Sequence, residues 1–135
     1  MDRQSRIALL TEHSRNPRHK GVLEGADVVL PGGSPECGGA VVVYLKGDGH
    51  GGIEDASFTG EGDTISQGAT DILLERVLEE RLSMDEVLAL DYGEFVETLG
   101  REIIGSRTRN ATLGLSTLKS AVRKYRSQNG SRISG

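Results

Sequence analysis

"GSPECGGAVVVYLKG", Gly33 to Gly47, contains the chain's only cysteine and its most strongly β-forming run. Val41, Val42, Val43, Tyr44 and Leu45 are residues that fit a pleated, half-buried surface, and the glycines on either side mark turns. The stretch therefore reads as a strand. Before it, "ADVVLPGG" reads as a second strand running into a Pro/Gly turn. After it, "IEDASFTGEG" reads as a third, with Ala56 and Phe58 on one face and Asp55, Ser57 and Thr59 on the other. Three strands joined by tight connections predict an antiparallel meander. Cys37 precedes the valine run, although a packing thiol would sit within it.

At 135 residues the chain is long enough to bury a core without metal or disulfide staples. One cysteine cannot form an intramolecular disulfide, so the thiol is free, bonded to another chain or used chemically. No run approaches the roughly 18 apolar residues of a membrane span, and the first apolar segment is too short for a signal peptide. A cytoplasmic protein is expected. The net charge of −4 is unevenly spread: residues 1–20 carry five Lys/Arg against two Asp/Glu, 21–100 three against seventeen, and 101–135 eight against one. Such basic ends suit packing beside acidic surface of the same molecule or docking to an acidic protein. With aromatics at 4% and the whole chain acidic, the pattern does not fit nucleic-acid binding.

Outside the meander the period is helical. Residues 4–13, with Ile7, Leu9 and Leu10, predict a short helix that Pro17 forbids from continuing. Ile65, Ala69, Ile72, Leu73 and Val77 recur at helical spacing from about Asp63, with Thr64 and Gln67 as a capping box. "SMDEVLALD" starts another helix, capped by Ser83 with Glu86. "GEFVETLGREII" predicts one with Phe95, Val96, Leu99 and Ile103 inward. The last runs from Asn110 to Tyr125 with Leu115, Leu118, Val122 and Tyr125 on one stripe. Strands followed by helices define an α+β class, a three-stranded antiparallel sheet with helices packed on one face. One domain is expected over 1–127, with a flexible polar tail over 128–135.

Four ordered segments carry a resemblance. "EHSRNPRHKG" is similar to a His-x-x-Asn-Pro-Arg-Asn-x-Gly segment, "SPECGG" to a Pro-x-Cys-Gly-Asp loop, "FTGEGDTIS" to Phe-x-Gly-x-Gly-Cys-Ala-Ile-Ser, and "RTRNATLGLSTLKSAV" to Arg-x-Lys-Cys-Ala-x-Leu leading into a helix. In this order they resemble the U-type iron-sulfur cluster scaffold family of IscU, SufU and the NifU amino-terminal domain, over about residues 5–125. The resemblance implies a SufE/NifU-like fold and a role in iron-sulfur cluster assembly. It also implies a site in which three cysteines and the loop aspartate hold a nascent cluster or zinc. Here Cys37 alone keeps its family identity. Asp63 and Asn110 stand at the other two cysteine positions, and Gly39 stands at the loop aspartate.

Clusters are held chiefly by thiolates, because soft sulfur matches iron and its sulfides. One thiolate, one carboxylate and a neutral amide are a poor substitute, and zinc prefers four strong donors. The ligand candidates reduce to Cys37 and Asp63, for an iron-sulfur cluster, iron or zinc held weakly or transiently. Asp63 also suits the first turn of a helix as a cap, and Asn110 suits the start of the last helix in the same way. His13, His19 and His50 fall outside the matched ligand positions. Arg107 and Arg109 belong to a segment that the family architecture would bring close to Cys37.

Three roles follow from the resemblance. In the first, Cys37 accepts persulfide sulfur from a cysteine desulfurase, a step that needs one accessible thiol. In the second, Cys37 and Asp63 bind iron or zinc with ligands completed by another iron-sulfur assembly protein. In the third, the fold persists as a non-catalytic adaptor. All three describe a scaffold or sulfur acceptor more than a turnover enzyme, and no Gly-x-Ser-x-Gly elbow or Cys-His pair suggests a hydrolase. "EIIGSRTRN" lacks the Leu-Pro-Pro-Val-Lys type of motif with which IscU-like scaffolds engage their chaperone.

Overall fold

This computed structural model describes residues 1–134, with backbone alone for 130–134. Helix α1 (Arg3–Arg15) is followed by strands β1 (Val28–Ser34), β2 (Gly39–Gly47) and β3 (Ile53–Gly62). Helices α2 (Thr64–Glu79), α3 (Met84–Ala89), α4 (Tyr92–Leu99), α5 (Arg101–Ile104), α6 (Thr108–Ala111) and α7 (Leu113–Ser134) complete the chain. A single 3-10 turn, Pro35–Cys37, lies between β1 and β2. Among the described residues no helix is long and apolar enough to cross a membrane.

The sheet is antiparallel in the order β1-β2-β3. Its register aligns Val28, Leu45 and Ala56 in one rung and Leu30, Val43 and Phe58 in the next. Alternation places Val41, Val43, Leu45, Ala56 and Phe58 on one buried face, while Val42 and Tyr44 remain half-buried on the other. Helix α7 covers β1 and β2, and α2 covers β3. Leu115, Leu118 and Val122 of α7 and Leu73 and Val77 of α2 fill the interlayer. Each such side chain stabilises the fold by about 1.5–3 kcal/mol relative to leaving it in water. The expected α+β layering is therefore present with all three strands, but β1 continues through Pro31, Gly32 and Gly33, paired with Val42, Val41 and Ala40, where the sequence predicts a turn.

Helix α1 is held differently from its prediction. Ile7 and Leu9 are exposed, and Leu10 and His13 are the buried residues of this helix. His13 Nδ1 donates to Asp71 Oδ2 at 2.6 Å, with both residues buried. The same carboxylate accepts from the backbone N–H of Arg18 at 3.2 Å and of His19 at 2.8 Å. Beside it, Arg18 Nη1 donates to Glu75 Oε1 at 2.7 Å. Past Pro17 the chain has no helical acceptors for its N–H groups, and Asp71 supplies them. A polar latch, more than an apolar stripe, fastens α1 and the turn after it to α2.

Other departures have local causes. The capping box expected of Thr64 and Gln67 does not form: Asp63, also expected as a cap here, is the N-cap and accepts from Ser66 N–H. The helix predicted through "GEFVETLGREII" breaks at Gly100, whose φ of +110° no helix tolerates, and Ile104 takes the fully buried place expected of Ile103. The capping box of Ser83 and Glu86 forms as expected. The last helix is split into α6 and α7, and α7 continues past Tyr125. Residues 128–134 of the expected flexible tail thus have helical backbone, while Gly135 lies outside the described residues.

Breaking a buried, hydrogen-bonded polar cluster leaves its remaining members desolvated and unpaired, at a cost of about 3–5 kcal/mol. Asp71→Ala is expected to lower the unfolding free energy by that amount, and His13→Ala by somewhat less. Urea denaturation followed by circular dichroism measures both. A loss below about 1 kcal/mol for Asp71→Ala would show that the latch is not a structural determinant.

Candidate functional site

At one end of the sheet the 3-10 turn carries Cys37 into solvent as a free, exposed thiol. The turn is closed by Gly38, in the left-handed region at φ +99°, whose N–H donates to Pro35 C=O. β2 begins immediately after it. Cys37, Gly39, Arg109, Asn110, Leu113 and Ser116 line a hollow of about 330 Å3. Segments from residues 33–39 and 109–116 thus meet at one place, as the resemblance implied, and Arg109 shares the hollow with the thiol.

Asp63 joins this group through its own hydrogen bonds. Its backbone N–H donates to Gly38 C=O at 3.0 Å, which fixes the Cys37 loop to the start of α2. Oδ1 accepts from Ser66 N–H at 2.7 Å as the N-cap of α2. Oδ2 accepts from Asn110 Nδ2, also at 2.7 Å. Partial burial acts to raise the Asp63 pKa. The hydrogen bonds from Ser66 N–H, Asn110 and the Ser66 hydroxyl, with the Arg107 charge, outweigh it and hold the carboxyl below its ordinary value. Asn110, expected as a cap of the last helix, instead lies within α6 and donates to Asp63 Oδ2.

The residues at the family's ligand positions do not fit a cluster or a zinc ion. Both Asp63 oxygens are already acceptors, and Asn110 presents N–H to the site, the opposite polarity from a metal ligand. Gly39 has no donor. A Cβ there would lie 2.4 Å from Ser66 Oγ and 2.9 Å from Ser66 Cβ, so an aspartate at this point requires the first turn of α2 to withdraw. Among the described residues no three His, Cys, Asp or Glu side chains are grouped to hold a metal. His13 is committed to Asp71, remote in chemistry from the thiol.

Neither the Asp63–Asn110 pair nor the His13–Asp71 latch was foreseen as a contact. The only signals for the second were a polar residue, Asp71, within the apolar run of α2 and a histidine three positions after Leu10. For the first, the signal was the pairing of one acceptor and one donor at two positions matched to cysteines.

Because the folded pKa of Asp63 lies below the unfolded one, its stabilisation is complete above the unfolded value and is lost as pH falls through the folded value. Asp63→Asn is therefore expected to cost about 1 kcal/mol at pH 7. The gap between the two proteins should narrow at a pH below the ordinary carboxylate range. Urea unfolding at the two pH values checks this, and an equal gap at both would refute the assignment of the lowered pKa.

A family model, described as the NifU-like N terminal domain, matches residues 8–132. The zinc-dependent sulfurtransferase SufU of Bacillus subtilis is 29% identical over 131 residues, covering 86% of this chain and 88% of that protein. The iron-sulfur cluster assembly scaffold protein IscU of Aquifex aeolicus is 32% identical over 120 residues, covering 88% and 74%. Among solved structures, the amino-terminal part of a nitrogen-fixing NifU-like protein from Brucella abortus superposes with a TM-score of 0.72 at 20% identity, over 87% of this chain and 92% of that one, which is a likeness of fold. With the meander, the helical layer and the ordered motifs in agreement, the chain belongs to the NifU-like N-terminal domain family.

Proposed function

We propose that this protein serves iron-sulfur cluster assembly as a scaffold-like sulfur acceptor, taking persulfide sulfur on Cys37 from a cysteine desulfurase. Support comes from kinship to a sulfurtransferase and to assembly scaffolds. The observation that carries the reading is the exposed Cys37 thiol at the mouth of a hollow it shares with Arg109, beside ligand positions that are otherwise occupied by hydrogen bonds.

The chemistry balances without a cofactor. The Cys37 thiolate attacks the terminal sulfur of the donor's persulfide, a new Sγ–S bond forms, and the donor's S–S bond breaks. The electron pair of the broken bond leaves on the donor cysteine, which departs as a thiolate. No net oxidation occurs, and Cys37 is left as the persulfide. Arg109 attracts the anionic persulfide as it arrives. Such transfer requires one reachable sulfur and an open approach, whereas holding a cluster requires several thiolates together.

Incubation with a cysteine desulfurase and cysteine, followed by intact mass measurement, tests the proposal. The wild type is expected to gain the mass of one or more sulfur atoms, and Cys37→Ser to gain none. Arg109→Glu should take up sulfur several-fold more slowly while remaining folded. If the wild type gains no sulfur, and Cys37→Ser binds the desulfurase as well as the wild type does, the protein is an adaptor and the acceptor reading fails.

A further inference from the structure

We infer that the Asp63–Asn110 hydrogen bond stands in the structural place of a metal ion, fastening the start of α2 to α6 over the Cys37 loop, so that the site assembles without metal. The inference does not depend on sulfur transfer, since it concerns what holds the site together.

A bound metal at this end of such a domain would join three stretches of chain: the loop before β2, the turn before α2 and the segment before the last helix. Here Asp63 joins the same three. Its N–H holds Gly38 C=O at 3.0 Å, its Oδ1 caps α2 at 2.7 Å, and its Oδ2 receives Asn110 at 2.7 Å. The last of these spans 47 residues of sequence. Helix α6 has particular need of it. It has four residues, no side-chain cap at its start, and Ala111 as its buried residue. A single turn with so little apolar contact is not stable alone, and the charge-assisted bond from Asn110 supplies its attachment to α2.

Polarity makes the substitution exclusive. A cation seated between Asp63 Oδ2 and residue 110 meets the Asn110 amide N–H, whose positive partial charge opposes it. At Gly39 the chain has closed against Ser66, so no donor can be supplied from that side without moving α2. The hydrogen bond and a metal are therefore alternatives at one site, and Cys37 is left without the companions that would make it a ligand.

The test uses the full chain with zinc alone as the probe. The wild type is expected to purify without stoichiometric zinc, and its Tm should be unchanged by EDTA or by added zinc. Asn110→Asp, which sets two carboxylates face to face, should lower Tm by about 3–6 °C. Adding Asp63→Asn to it restores the donor-acceptor pair in reverse and should recover most of that loss, which a purely local effect of either residue would not do. The double variant Asp63→Cys with Asn110→Cys, which places two thiols with Cys37, should take up stoichiometric zinc and gain Tm on doing so. Zinc bound stoichiometrically by the wild type with a rise in Tm overturns the inference. So does failure of Asp63→Asn to recover any of the Asn110→Asp loss, a result readable even if the double-cysteine variant does not fold.

Discussion

One carboxylate organises the end of the molecule where its chemistry lies. Asp63 occupies the junction between β3 and α2, and through one backbone and two side-chain hydrogen bonds it meets the Cys37 loop, the first turn of α2 and α6. A charge in this position is favourable twice over: the N-terminus of a helix stabilises anions, and an amide donor neutralises the remaining oxygen. The geometry of the thiol follows from it. Because Gly38 C=O is tied to Asp63, the 3-10 turn bearing Cys37 is held at the mouth of the hollow and not folded back over β2. A hydrogen-bonded Asp63–Asn110 pair thus fixes where the parts of this junction sit without supplying soft donors.

That junction is useful only because a rigid body stands behind it. The buried rungs of the meander position the two ends of β2 and β3, and α2 lies across β3 with Asp63 at its head. At the middle of the same helix, Asp71 gathers His13 and the backbone of residues 18 and 19. Helix α2 therefore receives the amino-terminal segment at one side and the thiol loop at its start. Both attachments are made by aspartates whose oxygens are filled by N–H donors. In a small domain, buried charges survive only when satisfied in this way, and each then specifies a single docking geometry.

Much of this was legible in the residues. Valine-rich alternation in β2, the Ala56 and Phe58 face of β3 and the Leu115, Leu118 and Val122 stripe of α7 each record burial on one side, and burial is what periodicity reports. The contacts that periodicity does not report were the ones missed. Ile7 and Leu9 look like a helix face, yet α1 docks through His13, because a hydrogen-bonded polar pair can outweigh two apolar residues that find no cavity. Of the two residues that the sequence offers as caps of α2, Asp63 takes the role and Thr64 does not. Gly100 reads as a tolerable interruption until its backbone is seen at positive φ. For the site, the resemblance pointed to the three stretches that meet and placed Asp63 and Asn110 where it implied cysteines. Only coordinates showed that the two replacements bond to one another.

The difference between losing a metal site and replacing one is physical. Had positions 63 and 110 become apolar, the loop, α2 and α6 would have lost their common anchor, and the thiol would have no defined setting. Had both become acidic, repulsion would have opened the junction unless a cation filled it. An aspartate paired with an asparagine avoids both outcomes: one negative charge is retained, one donor answers it, and the helix terminus absorbs the remainder. Sulfur arriving as a persulfide asks nothing more of such a site than a reachable nucleophile, since its bond to Cys37 is covalent and directional. Iron asks for several electron-rich donors at once. The arrangement around Asp63 supplies the first condition and, with an amide that presents N–H where a second electron-rich donor would be needed, withholds the second.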